Sequence, residues 1–228
     1  MPATPTPAPE PLTMRERYRA QVRDEVKQAA LRQLAESGPG GLSISAIGKQ
    51  LGVSGPALYR YFASRDELLT ELVIDAYHDL AHALSDAARY APGTQPRAQL
   101  EDTARAYRSW ALAQPHRYRL LFGPPLPGYD AHAQRLVEAA QASMKALLRV
   151  LREAGDPAAT PPAEPLAPQL LALARTHGPG IDAAIALRAI ITWSRLHGLV
   201  SLEIAGNFAS MGIDAGHLFE AQLATLTA

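Results

Sequence analysis

Between Ser43 and Tyr61 two short apolar segments flank the turn Leu51-Gly52-Val53-Ser54. Ser43 can cap a helix from Ile44 to Leu51, whose apolar face is Ile44, Ile47 and Leu51. Ser54 can cap a second, from Gly55 to about Tyr61, with Pro56 in its first turn, where a missing N–H costs nothing. Gly52 suits a turn whose backbone a Cβ would oppose. Val53 is placed to pin the two helices together, with Ile47 and Leu58 meeting beneath it. This is the build of a helix-turn-helix, and its chemistry is hydrogen bonding to DNA. The second helix enters the major groove with its N-terminal residues toward base edges. Here those are Gly55, Pro56 and Ala57, followed by Tyr59 and Arg60. Free N–H groups at the helix starts are ready ligands for phosphate.

No reaction centre competes with this reading. Without cysteine the chain has no disulfides, thiolate zinc sites or cysteine nucleophiles, and it suits a reducing cytoplasm. A Gly-rich phosphate loop, a Gly-x-Ser-x-Gly elbow and paired carboxylates in a distinctive frame are missing too, so neither an enzyme nor a cofactor is expected. His78 and His82, four apart on a predicted helix, stand close enough to share a metal. They lack a His-Glu-x-x-His frame and a third ligand, so a solvated or pocket-lining role is the stronger reading and no metal site is expected.

The elements that must position these residues are helical nearly throughout. Tyr18, Val22, Val26, Ala29, Ala30 and Leu34 recur at helical spacing over Met14–Ser37, and Gly38 stops that helix. Ser64-Arg65-Asp66-Glu67 reads as a capping box opening a long helix from Arg65 toward Tyr90, stopped by Pro92-Gly93. Further helices are predicted over Arg97–Gln114, His116–Phe122, Asp130–Ala154 and Ile181–Ala205, with shorter ones between Pro165 and His177 and near Ala215–Leu226. Gly123–Gly128 reads as a loop and Gly155–Pro168 as a Pro/Ala-rich connector. The fold expected is all-α: a disordered tail over 1–13, a three-helix helix-turn-helix domain over 14–63, and a larger helical domain over 64–228. The tail has neither the basic nor the apolar region of a signal peptide, and no apolar run is long enough to span a membrane.

Net charge is zero, but it is unevenly spread. Up to Arg65 there are nine Lys and Arg against five Asp and Glu; the remainder carries 13 against 17. Phosphate neutralisation acts at one face, so a basic end on an acidic body fits a DNA partner. Arg15, Arg17, Arg19 and Arg23 form a basic arm ahead of the helix-turn-helix, readable as a solvated face or as phosphate or minor-groove contacts.

The string from Gly38 through Leu42-Ser43-Ile44, Leu51-Gly52-Val53-Ser54 and Leu58-Tyr59-Arg60-Tyr61-Phe62 to Ser64-Arg65-Asp66-Glu67-Leu68-Leu69 closely resembles the N-terminal domain of the tetracycline-repressor (TetR) family. The resemblance covers Arg23 to Leu72 and implies a recognition helix from Ser54 to Tyr61. By it, Tyr59 and Tyr61 hold phosphates, Ser43 and Ser54 cap helices and touch the DNA backbone, and Arg65 replaces the usual Lys as a phosphate ligand. Gly48 stands where the family usually has Ala, which loosens that helix. Pro56 leaves few donors for base readout, so specificity rests on Arg60, Lys49, methyl contacts and DNA shape.

Trp193-Ser194-Arg195-Leu196-His197-Gly198-Leu199 and Pro115–Phe122 are similar to the Trp-His-Gly class of TetR-family C-terminal domains. In that family the last long helices pair across a two-fold axis. The resemblance thus implies a homodimer, with Trp193, Ser194, His197, Gly198 and Ser201 at the interface. Tyr77, Tyr107, Trp110, Tyr118, Phe122 and Met144 cluster in the middle helices. Core packing accounts for any one of them; the resemblance implies that several line the pocket of a small-molecule effector. The function expected is a ligand-responsive cytoplasmic regulator, a repressor by preference, that binds a palindromic operator as a dimer and is released by its effector. A constitutive DNA binder with a sealed core is the rival.

Overall fold

Helix α1 (Met14–Ser37) begins at a reciprocal cap: the Thr13 hydroxyl accepts the Glu16 N–H at 3.3 Å, and the Glu16 carboxylate accepts the Thr13 N–H at 2.8 Å. The structure, a computed structural model, describes residues 13–89, 95–123, 129–130, 133–154, 162 and 164–226. The rest of the expected tail, Tyr90, the Pro92-Gly93 stop and most of the two Pro-rich segments lie outside the described residues. A 3₁₀ turn at Pro39–Gly41 leads to α2 (Ile44–Leu51), α3 (Gly55–Leu58) and α4 (Arg65–Ala87). Then follow α5 (Pro96–Ala113), α6 (Pro115–Phe122), α7 (Gln134–Ala154), α8 (Ala167–His177), α9 (Ala183–Ile204), α10 (Asn207–Ser210) and α11 (Ala215–Leu226). Among the described residues there is no strand, and the class is all-α as expected.

The chain divides into two compact units, up to Leu72 and from Val73, so the division falls inside α4 rather than before it. In the N-terminal unit α1 buries Val26, Ala29, Ala30 and Leu34, while Ile44 and Ile47 of α2 and Leu58 of α3 close over them. Phe62 and the first turns of α4, through Leu68, Leu69 and Leu72, complete that core. Each such Leu, Ile or Phe contributes about 1.5–3 kcal/mol by leaving water. Tyr18, read from its spacing as part of this face, is 65% exposed. The first turns of α1 extend into solvent.

In the C-terminal unit α9 packs against α5, α7, α8, α10 and α11, burying Ala186, Ala189, Thr192, Leu196, Leu199 and Val200. A bidentate pair ties α5 to α9: Arg108 donates to Glu203 at 2.6 and 2.8 Å, and its guanidinium lies over the Phe219 ring of α11. The predicted helices recur with small shifts, except that α7 starts at Gln134 and not Asp130. The one-turn α10 has no periodicity long enough to announce it.

Two polar nodes fix the middle helices. Asp79 of α4 accepts the buried Trp110 indole N–H of α5 at 3.0 Å and an Arg117 N–H of α6 at 2.7 Å. The Tyr118 hydroxyl of α6 lies 2.9 Å from His197 Nδ1 and 2.8 Å from Ser201 Oγ, both on α9. The His197 ring is stacked between Trp193 and Tyr118, with interplanar angles of 14° and 28°. Burial holds the His197 imidazole below its ordinary value of 6.5. His177 is held low as well, by burial first and then by the Lys145 charge.

Asp79→Ala leaves the indole N–H unpartnered and is expected to lower stability by about 1–3 kcal/mol in urea denaturation followed by tryptophan fluorescence. An unchanged midpoint would remove the clasp from the stability of this unit. For the two histidines the unfolded chain binds protons more readily than the folded one. Their contribution is therefore complete above pH 6.5 and is lost as pH falls through the folded-state values. The melting temperature is expected to drop between about pH 7 and 5, less steeply in His197→Asn; equal slopes would exclude His197.

Candidate nucleic-acid interface and internal cavity

The turn of the helix-turn-helix is built by close approach. Gly52 ends α2 in the left-handed conformation at φ 66°, and the Val53 N–H returns to the Gly48 carbonyl at 2.9 Å. A Cβ on Gly48 would lie 2.8 Å from the Val53 carbonyl oxygen and 3.3 Å from a Leu58 methyl. Gly48 is thus buried under the turn it lets in, a different role from the loosening expected of it. The Ser43 hydroxyl accepts the Ala46 N–H at 3.3 Å, and the Ser43 N–H donates to the Gln33 side chain at 3.0 Å.

The second helix is shorter than its sequence implied. Regular α-helix covers only Gly55–Leu58, and Tyr59, Arg60 and Tyr61 continue as turns. The N–H groups of Arg60 and Tyr61 reach back three residues, to Ala57 and Leu58, as in a 3₁₀ turn. Ser54 makes no side-chain cap; its carbonyl takes the Ala57 and Leu58 N–H groups instead. With Gly and Pro in its first turn, this helix has little propensity of its own and is held by buried Leu58 and Phe62. Pro56, Tyr59 and Arg60 are exposed on it, and Gly55, Ala57 and Tyr61 are half-buried. Tyr59, 51% exposed, is a large aromatic ring that packing does not explain. Lys49 on α2 is exposed as well.

Several basic residues serve the unit's own structure. Arg23 donates to the Tyr61 carbonyl, covers the Phe62 ring at 4.3 Å and pairs with Glu71 at 3.3 Å, where Lys27 joins at 3.4 Å. Arg23 is thus committed within the unit: its guanidinium satisfies the Tyr61 carbonyl, in the turn that follows the short α3. Arg19 reaches the Arg60 carbonyl at 3.4 Å, while Arg15 and Arg17 stay exposed. Arg65 donates from Nε to the Leu42 carbonyl at 3.1 Å and lies 3.8 Å from the Asp66 carboxylate.

The C-terminal unit contains a partly open cavity of about 270 Å³. Tyr77, Tyr107, Phe122 and Met144 line it, and so does Trp193. Aliphatic wall comes from Leu80 and Leu84 of α4, Leu147 of α7 and Leu196 of α9; Thr103 and Ser143 add hydroxyls. Trp110 and Tyr118, also expected there, are drawn away because a buried N–H or O–H needs a partner: Trp110 finds Asp79, and Tyr118 finds His197 and Ser201. Burial pushes the Tyr107 phenol far up, so it stays a neutral donor and acceptor.

Of the residues expected at a helix-pairing surface, Trp193 lines the cavity, His197 stacks within the protomer and Ser201 bonds Tyr118. Trp193, His197 and the buried Leu196 and Val200 share one side of α9. Ser194 and Gly198 lie on another strip, with Ile191 and Leu202 at 42% and 43% exposure. Nothing stands within 4 Å of a Cβ built on Gly198. His78 and His82 are exposed; among the described residues no group of three or more His, Cys, Asp or Glu could hold a metal. No described helix is long and apolar enough to cross a membrane.

Residues 28–72 match the model of bacterial regulatory proteins of the tetR family, and residues 100–226 that of the Tetracyclin repressor-like C-terminal domain. The chain is 33% identical over 216 residues to the HTH-type transcriptional regulator Rv1816 of Mycobacterium tuberculosis, covering 92% of each. It is 42% identical to SCO4313, described as a regulatory protein, whose crystal structure superposes with a TM-score of 0.75 over 94% of this chain and 98% of that one. The fold is also that of FadR from Bacillus subtilis, solved in complex with stearoyl-CoA, at 15% identity and a TM-score of 0.63 over 90% and 97%. With a helix-turn-helix at one end and the family's C-terminal domain at the other, the chain belongs to the tetracycline-repressor family of DNA-binding transcriptional regulators.

Proposed function

We propose that the chain is an effector-responsive repressor that binds a palindromic operator as a homodimer in the reducing cytoplasm. The observation that carries this reading is the span of α4. Its first turns supply Leu68, Leu69 and Leu72 to the helix-turn-helix core, and its later turns supply Tyr77, Leu80 and Leu84 to the cavity wall. A molecule in the cavity therefore bears on the same helix that seats the recognition turn. Release follows if the effector binds better to a state in which the half-site separation, about 34 Å, is wrong. Operator DNA then weakens effector binding by the same factor, about 5- to 150-fold.

Tyr59, Arg60 and Lys49 are read as the groups that meet DNA, with Ser43, Ser54, Tyr61 and Arg65 on phosphates and Gly55, Pro56 and Ala57 against the bases. The exposure of Tyr59 and Arg60 on a turn supports this. The dimer is read as pairing through the Ile191, Ser194, Gly198 and Leu202 strip of α9, where small residues admit a partner helix.

Fluorescence anisotropy with DNA from the chain's own upstream intergenic region tests the first part. Binding is expected to saturate at one dimer per site and to survive non-specific competitor. Sequence-blind binding at every salt concentration would overturn the operator reading. Tyr59→Phe and Arg60→Ala are each expected to lose about 1–3 kcal/mol of operator affinity with an unchanged melting temperature; full affinity would take the residue out of the interface. Gly198→Glu is expected to give monomers by light scattering, and a variant that stays dimeric would refute the α9 strip.

A further inference from the structure

A second concavity lies on the other side of α7. Lys145, Arg149 and Arg152 fall within a sector of roughly 60° around that helix. They point away from Ala140, Ser143, Met144 and Leu147, which belong to the cavity wall. With Ser85 of α4, His177 at the end of α8 and Ile181 ahead of α9, they line a partly open groove of about 280 Å³. Among the described residues that line it there is no Asp or Glu. The charge is local, because the chain beyond Arg65 carries 13 Lys and Arg against 17 Asp and Glu.

The three cations are open to a ligand. Lys145, Arg149 and Arg152 are all exposed. Arg149 gives one N–H to the Ala88 carbonyl at 2.9 Å, which pins its guanidinium and leaves its other donors. Arg152 lies 3.8 Å from Glu153, its chain neighbour, an exposed pair that is worth little. His177 is buried, and burial first and the Lys145 charge second hold its imidazole below the ordinary value of 6.5. The charged groups that share the groove with it are the three of α7; Ser85 and Ile181 bring none. Like charges gathered on one concave wall oppose folding and draw anions to it.

Size narrows the anion. Lys145 to Arg152 covers about 10 Å along the helix at about 1.5 Å per residue. A single phosphate group reaches only part of that row, whereas linked phosphates follow it. The volume of about 280 Å³ equals roughly nine waters at their liquid share of ≈30 Å³. That admits a diphosphate and is far too small for a DNA duplex.

We propose that this groove binds a small molecule through two or more linked phosphate groups, a nucleoside diphosphate or another diphosphate ester, held by Lys145, Arg149 and Arg152. The site is separate from the cavity and does not depend on how the cavity is used.

Calorimetric titration of the full chain with inorganic pyrophosphate, free of divalent metal and at fixed ionic strength, is expected to give one site per chain. Lys145→Gln and Arg152→Gln change exposed side chains, and each is expected to weaken binding about tenfold. Lys49→Gln, in the helix-turn-helix, is expected to leave it unchanged. Orthophosphate is expected to bind at least about tenfold more weakly than pyrophosphate. The imidazole resonance of His177 gives a second reading. A bound anion favours the protonated ring, so its titration moves to higher pH; Lys145→Gln moves it the same way with no anion present. Absence of saturable binding to the unsubstituted chain overturns the site. Binding that survives both α7 substitutions, or is lost in Lys49→Gln, places the phosphate elsewhere and overturns it as well. So does a His177 titration that pyrophosphate leaves unmoved. Equal affinity for orthophosphate overturns the diphosphate class, and a Lys145→Gln variant that loses duplex DNA as strongly as pyrophosphate gives the groove to the DNA backbone instead.

Discussion

Where α4 starts determines which of its residues face which neighbours. The start is fixed by three contacts: the Ser64 hydroxyl accepts the Glu67 N–H at 3.0 Å, the Glu67 carboxylate accepts the Ala63 N–H, and Arg65 reaches the Leu42 carbonyl. Each residue along an α-helix advances about 100° around the axis. A slip of one residue at Ser64 would carry Leu68, Leu69 and Leu72 off the core of the N-terminal unit. In the C-terminal unit Asp79, later on the same helix, grips α5 and α6 at once.

Most helices were legible because their signals are local. Ser43 and Ser64 do cap, Gly52 does turn, and apolar spacing marked α5, α7, α9 and α11 to within a few residues. What escaped was set by partners distant in sequence. Nothing near Arg23 indicates that it will close over Phe62 and Tyr61, 38 residues on. The residues around the cavity divide on the same ground: Tyr77 and Phe122 stand in its wall, whereas Trp110 and Tyr118 are placed by where their polar tips find partners. For α9, Trp193 and His197 could be separated from Ser194 and Gly198 only once Leu196 and Val200 were seen to be buried on the side the first two share.

The basic excess of the N-terminal unit is smaller at its surface than in its composition. Arg23 and Lys27 face Glu71, and Arg19 and Arg65 are partly engaged with carbonyl groups. These cations stabilise the geometry that presents Tyr59 and Arg60, while exposed Lys49, Arg15 and Arg17 keep their field for the solvent side. The unit needs that arrangement, because α3 alone is far below the length at which a helix persists in water.

The division of labour around the cavity has an evolutionary consequence. Only α4 is common to both units, whereas Ala140, Ser143, Met144 and Leu147 come from one stretch of α7 that takes no part in the N-terminal core. Substitutions along that stretch can reshape the cavity without disturbing the cap of α4. A few changes on a single helix could thus alter the cavity and leave the helix-turn-helix as it is, and a laboratory library confined to those positions would sample the same route.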